Sequence, residues 1–155
     1  MKEEVNIDFE NSLGPLLGKT VKLIEYHLLG LFIEAGLDMT KEQMIILKRL
    51  SEKDGLSQND LAYMVFRNKS SLTRLLTKME RKGYIERKQG EADKRVKRVY
   101  ITPQGKNAFA LAKPIIKKII IRSEQNISDE EKDQFINTLK HIQNNFKTTI
   151  DNTST

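Results

Sequence analysis

The chain has no cysteine, only three prolines, and two histidines that stand far apart in its 155 residues. Without cysteine there are no disulfides, no thiolate zinc sites and no thiol-based redox sensing. His27 and His141 belong to no ligand-spaced cluster, so no metal site is expected. Also missing are a glycine-rich phosphate loop and a linked nucleophile–histidine–carboxylate set, so the sequence does not read as an enzyme and implies no cofactor. No apolar run approaches the ~20 residues of a membrane span. The start, MKEEVNIDFE, is acidic and polar, unlike a signal peptide, and the expected location is the cytoplasm. Internal repeats and low-complexity segments are absent, and the five methionines are too scattered to suggest more than packing.

What is present is charge, unevenly spread. With 38% hydrophobic and 31% charged residues, the composition suits one ordinary domain or two small lobes sharing a core. The net charge is +6, but residues 67–98 hold 12 Lys/Arg against 4 Asp/Glu, a local +8. The rest holds 15 against 17, or −2. Concentration of one sign in one segment points to a polyanionic partner, nucleic acid before membrane. The alternative is a solvated face, which usually mixes signs. The segment ends in "GEADKRVKRVYITPQG", an acidic turn (Glu91, Asp93) followed by four cations, Lys94, Arg95, Lys97 and Arg98.

Hydrophobic periodicity organises the remainder. Residues 9–36 carry apolar side chains near a 3.6 period, predicting a long helix whose first turns are disturbed by Gly14, Pro15 and Gly18, with Gly36 past its end. Thr40 with Gln43 is a capping box for a second helix with Met44, Leu47 and Leu50 inward. Ser57 caps a short helix carrying Leu61, Ala62 and Val65, and after a break at Phe66–Arg67, Asn68 caps another that stops at Gly83. This last helix divides by face: Leu72, Leu75, Leu76 and Met79 form an apolar stripe, opposite Ser70, Thr73, Arg74, Thr77, Lys78 and Arg81. Two short helices with a tight connection, the second presenting hydroxyls and cations outward, express a helix-turn-helix.

"YIERKQG" and "RVKRVYI" follow as strands of a hairpin around Gly90–Asp93. Thr102–Pro103 opens a helix to about Ser123, with a kink or offset expected at Pro114. Ser128 and Glu131 cap a last helix striped by Phe135, Leu139, Ile142 and Phe146, before a polar tail, "TTIDNTST".

This order of elements resembles the MarR family of winged helix-turn-helix regulators. The likeness is carried by "GLDMTKEQMIILKRLSE", "LSQNDLA", "SSLTRLLTKMERKGYIERK" and above all "DKRVKRVYITPQG", which fits a D-x-R wing followed by an Ile-Thr-x-x-Gly helix start. Together these span about residues 36–106. The resemblance implies a mainly α fold, a three-helix lobe plus a two- to three-stranded wing, with N- and C-terminal helices forming a dimerisation lobe. The DNA-binding lobe is expected at 37–106 and the dimerisation region at 1–36 and 107–155. It further implies a homodimer on a pseudopalindromic operator in double-stranded DNA, often a repressor released by a small-molecule effector. The residues support the dimer independently, since the terminal helices carry more apolar surface than so small a lobe can cover.

Arg74 projects opposite the core stripe, where it can fork onto guanine O6/N7 or clamp a phosphate; a surface salt bridge is the alternative. Ser70, Ser71 and Thr73 suit close approach to a groove, although Ser71 can equally be only a helix-start residue. Asn68 is a cap whatever else it does. Lys69, Lys78 and Arg81 read as phosphate contacts, as do Lys94, Lys97 and Arg98, with Arg95 entering the minor groove. The resemblance implies that Asp93 pins Arg95. The resemblance implies an effector site between the dimer helices and the DNA lobe, for which Tyr26, His27, Met44 and Arg49 are candidates, with interface packing the alternative for Tyr26 and His27. The rival function is a winged helix used for protein docking or architecture without operator specificity.

Overall fold

The structure, a computed structural model, describes the backbone of residues 5–151 and side chains as far as residue 147. The end of the polar tail, residues 152–155, lies outside the described residues. Among the described residues there are six helices and a three-stranded sheet: α1 (Leu13–Glu34), α2 (Lys41–Glu52), β1 (Leu56–Ser57), α3 (Gln58–Met64), α4 (Lys69–Arg81), β2 (Ile85–Gln89), β3 (Lys97–Ile101), α5 (Pro103–Ser123) and α6 (Asp129–Asp151). The chain forms two compact units, Met1–Ile119 and Ile120–Thr155.

In the first unit, α1 starts four residues later than its apolar pattern suggests. Asp8 turns the chain back by accepting the Asn11 backbone N–H at 3.0 Å and its side-chain amide at 2.8 Å, leaving Phe9 exposed. Helical geometry begins after Ser12, whose φ −88° and ψ 139° are extended. Pro15 falls in the first turn, where its missing N–H leaves no intrahelical bond unmade. The Thr40–Gln43 capping box at α2 is complete, with Gln43 N–H donating to Thr40 Oγ1 and Thr40 N–H to Gln43 Oε1, both at 3.2 Å.

Ile46, Leu47, Leu50, Leu61, Leu72, Leu76, Met79, Ile85 and Val99 are fully buried and join α2, α3, α4 and the sheet in one core. Met44, Val65 and Leu75 flank it half-buried. Phe32 of α1 and Ala108, Phe109 and Ala112 of α5 extend the same core. The sheet runs β1-β3-β2, all antiparallel, with Arg87 opposite Val99 and Ser57 opposite Arg98. α5 passes through Pro114 uninterrupted. Loss of one backbone bond, about 3 kcal/mol, is tolerated where buried Ala112 and Ile119 hold the helix on either side.

In the second unit, α6 opens on its expected capping box: Ser128 N–H donates to Glu131 Oε2 at 2.8 Å and Glu131 N–H to Ser128 Oγ at 3.2 Å. These bonds, the one from Ser128 N–H first, hold the Glu131 carboxyl below its ordinary range. Along α6, Phe135 and Phe146 are exposed, and Leu139 and Ile142 half-buried.

Candidate nucleic-acid interface

The second helix of the helix-turn-helix is set by its two ends. Asn68 is its N-cap, accepting Ser71 N–H at 2.8 Å and Ser70 Oγ–H at 3.0 Å. Just before it, Phe66 takes a left-handed φ of 53° to make the tight connection. Arg67 then donates to Ser71 Oγ at 2.7 Å, so this hydroxyl serves the helix start in the free protein. At the far end Gly83, at φ 76°, closes a Schellman motif: Gly83 N–H reaches the Glu80 carbonyl and Tyr84 N–H the Met79 carbonyl, both at 3.0 Å.

A cluster of bonds fixes that end against the loop between α1 and α2. The Lys82 ammonium donates to Asp38 Oδ1 at 2.8 Å, to Gln43 Oε1 at 3.0 Å and to the Asp38 carbonyl at 3.2 Å. The Tyr84 hydroxyl donates to the same carbonyl at 2.8 Å. Burial, and next the Asp38 charge, push the Tyr84 phenol above its ordinary range, so it remains a donor at neutral pH.

Between these ends α4 turns out the face its sequence describes. Lys69, Ser70, Thr73, Arg74, Lys78 and Arg81 are exposed, while Leu72, Leu76 and Met79 are buried beneath them. The two threonine hydroxyls bond back along the helix, Thr73 Oγ1 to the Lys69 carbonyl and Thr77 Oγ1 to the Thr73 carbonyl, each at 2.8 Å. Their protons are therefore engaged, leaving the methyl and oxygen lone pairs of exposed Thr73 for anything docking on this face. The side chains of Lys69, Arg74, Lys78 and Arg81 have no hydrogen-bond or ion-pair partner among the described residues.

The hairpin differs from expectation in one respect. β3 begins at Lys97 rather than Arg95, and Gly90 N–H closes the loop onto the Val96 carbonyl at 2.7 Å. Lys94 and Arg95 are therefore tip residues rather than strand residues. Asp93 organises the tip, its Oδ1 accepting Arg95 N–H at 3.0 Å and Nε–H at 3.1 Å, and its Oδ2 accepting Nη2–H at 3.2 Å. The Arg95 side chain, then its backbone N–H, hold the Asp93 carboxyl below the usual carboxylate range. Arg95 nevertheless stays 91% exposed, so it is oriented without being covered. Lys94 and Lys97 are exposed and without a partner among the described residues, whereas Arg98 donates to the Gly55 carbonyl at 2.9 Å.

Helix and tip meet across a groove of about 460 Å³ lined by Ser57, Gln58, Asn59, Thr73, Asp93, Arg95, Val96 and Lys97. The start of α3, the outward face of α4 and the wing thus share one polar, net-cationic concavity. Sequence reasoning missed Ser57, Gln58 and Asn59 as part of this surface, and missed the inward bonds of Arg67 to Ser71 and of Arg87 to Glu80 and Thr77. Alternation signals Arg87: it stands two residues after buried Ile85 and so falls on the same face of β2.

The effector candidates lie on α1 and α2. Tyr26 is 76% exposed and meets His27 edge-on, ring centroids 5.8 Å apart. Met44 is half-buried, and Arg49 lies 3.7 Å from Glu52. None of the four lines the groove above, a second of about 290 Å³ at Leu50, Ser51, Asp54, Ile101, Lys106, Phe109 and Lys113, or a third of about 280 Å³ between α2 and the α3–α4 connection.

Comparison with known proteins agrees with this architecture. The family model described as "MarR family" matches residues 39–97, the lobe that carries the groove. The chain is 33% identical over 110 residues to the HTH-type transcriptional regulator SarZ of Staphylococcus haemolyticus, covering 70% of this chain and 74% of that protein. The chain belongs to the MarR family. As a member it is a winged-helix, DNA-binding transcriptional regulator. Two solved structures share its fold at lower identity. The transcriptional repressor CouR, bound to a 23-mer DNA duplex, aligns with a TM-score of 0.78 at 19% identity, over 90% of this chain and 99% of that one. The PcaV regulator of Streptomyces coelicolor, in complex with its natural ligand, aligns with a TM-score of 0.76 at 16% identity, over 91% and 98%.

Proposed function

We propose that this MarR-family chain acts as a homodimeric repressor that reads a pseudopalindromic operator with α4 and clamps it with the wing. The observation that carries this reading is the pairing pattern of the cations. Those turned inward, Arg67, Lys82 and Arg87, are hydrogen-bonded within the lobe, while Lys69, Arg74, Lys78, Arg81, Lys94 and Lys97 face outward unpaired. An unpaired guanidinium on the exposed face of a helix that fits a major groove suits bidentate recognition of guanine. The lysines suit phosphates, which contribute affinity without sequence information. Asn68, Ser70, Ser71 and Thr73 lie at the end of α4 that enters the groove first. Asp93 holds Arg95 for the adjacent minor groove, with Lys94, Lys97 and Arg98 on the flanking phosphates.

The dimer rests on apolar exposure in the terminal segments. Leu13, Leu23 and Ile33 of α1, and Ile120, Ile121, Phe135 and Phe146 of the second unit, are each roughly half exposed or more. Burying them against a second copy removes them from water and, with two-fold symmetry, spaces two copies of α4 by about one DNA turn, ~34 Å. On this reading residues 37–106 form the DNA-binding lobe, and residues 1–36 and 107–155 the dimerisation region. Release by a small molecule is supported by the ligand complex of PcaV, and Tyr26, His27, Met44 and Arg49 of α1 and α2 are its candidate contacts here. No helix among the described residues is long and apolar enough to cross a membrane, which fits a regulator working on DNA in the cytoplasm.

Sequencing the fragments that the purified protein retains from its own genomic DNA tests this directly. A shared pseudopalindrome is expected, and Arg74→Ala should relax preference at major-groove positions near each half-site centre. Retention of fragments with no common sequence would instead mark a winged helix used for docking or architecture.

A further inference from the structure

Arg87 stands apart from the other cations of the basic segment. Its side chain is only 17% exposed, and its guanidinium is engaged on one element alone, α4. Nε–H donates to Glu80 Oε2 at 2.5 Å and Nη2–H to Thr77 Oγ1 at 3.3 Å. Glu80 and Thr77 lie three residues apart, on adjacent turns of α4. Thr77 Oγ1 passes the connection on to the Thr73 carbonyl, beside Arg74. Beyond Arg87 the facing strand pairs are Lys88 with Arg98 and Gln89 with Lys97, all four exposed. Arg87 is therefore the last inward side chain of β2 before the tip, and it grips the C-terminal half of the helix.

We propose that Arg87 is a positioning residue that locks the wing to the recognition helix, so that Arg74 and Arg95 meet neighbouring grooves as parts of one rigid frame. This rests on the DNA-binding reading above. The tip lies roughly 10–20 Å along the hairpin from Arg87, at about 3.3 Å per residue. A hinge of about 10° at the hairpin base would then carry Arg95 roughly 2–3 Å from its place, more than the tolerance of a hydrogen bond. A wing already held in place loses less freedom when DNA binds, and its contact is made at high effective concentration once the helix is seated. Val99, paired with Arg87 and fully buried, keeps the sheet itself in the core, so the guanidinium sets an angle rather than the fold.

The experiment measures affinity for the selected operator using full-length wild type, Arg87→Met and Glu80→Ala, each with and without Arg95→Ala. Thermal melting and sedimentation confirm that each variant is folded and unchanged in assembly. In the wild type, Arg95→Ala should cost about 5–150-fold in affinity. In the Arg87→Met background the same change should cost only about 2–3-fold, because an unlocked wing already delivers Arg95 poorly. Glu80→Ala should weaken binding although it removes a negative charge, since it takes away the shorter, charged bond of Arg87 to the helix and leaves only the 3.3 Å bond to Thr77.

An undiminished Arg95→Ala penalty in both backgrounds, or tighter binding by Glu80→Ala, overturns the proposal. Should Arg87→Met fail to fold, the Glu80→Ala pair of measurements decides alone, because that carboxylate is 42% exposed and not part of the core. Equal wild-type affinity for operator and scrambled duplex would remove the DNA-binding reading itself and the proposal with it.

Discussion

Replacing Asp93 with alanine removes a carboxylate from a surface meant to lie against phosphates, yet operator binding should weaken. Simple charge arithmetic has the opposite sign: one repulsion fewer, hence tighter binding. The geometry overrides it. Asp93 accepts three bonds from Arg95, from its backbone N–H, Nε–H and Nη2–H at 3.0, 3.1 and 3.2 Å, and so holds both the loop and the guanidinium plane. Without it a 91% exposed arginine regains its rotamers and must be immobilised by the DNA alone. Ordering one long side chain costs about two- to twelve-fold in affinity. Asp93→Ala should therefore lose about that factor, and Arg95→Ala more, about 5–150-fold, because it removes the contact itself. Adding Arg95→Ala to Asp93→Ala should cost less than Arg95→Ala costs alone.

The lowered pKa of Asp93 adds a check on the same pair. A depressed folded-state value means the pair is fully present above the ordinary carboxylate range and is lost only as pH falls through the depressed value. Operator affinity should thus show no Asp93-dependent change between about pH 6 and 8. Fluorescence anisotropy with a labelled operator at fixed salt measures all of these quantities. Tighter binding by Asp93→Ala would refute the reasoning and reduce the tip to a generic phosphate clamp.

Two further variants probe the frame that carries this surface. A Cβ on Gly105 would sit 2.1 Å from the Tyr84 carbonyl oxygen and 3.0 Å from Ile101 Cγ1, a backbone clash that no rotamer relieves. Gly105→Ala should therefore destabilise the chain by about 1–3 kcal/mol or more, read as a lowered urea midpoint. Lysine at Leu139 or Phe146 should give monomeric or aggregated protein that no longer holds a full operator, and wild type sedimenting as a monomer at micromolar concentration would contradict the dimer.

Local chemistry made much of this legible in the sequence. The caps at Thr40, Ser57, Asn68 and Ser128 form with the side chains named for them, because each oxygen sits next to orphan N–H groups of its own helix. The outward face of α4 follows from 3.6-residue periodicity alone. Periodicity failed at Phe9, where Asp8 uses local hydrogen bonds to end the pattern before the helix begins. It also placed Arg95 in a strand. A turn closed by Gly90 and Val96, with Asp93 folding its carboxylate onto Arg95, carries no periodic signal. Contacts between distant segments were the least legible. Lys82 on Asp38 and Gln43, and the start of α3 beside the wing, depend on how elements pack. No spacing along the chain encodes them.

Salt dependence of operator binding tests the central claim most directly. Two copies of the +8 segment should neutralise about 6–10 phosphates, so affinity should fall by about 10³–10⁵ between roughly 50 and 200 mM salt. Through the same titration the selected operator should remain at least about 10³-fold preferred over a scrambled duplex. A flat salt response, or equal affinity for both duplexes, would contradict the account of this chain as an operator-reading MarR-family protein.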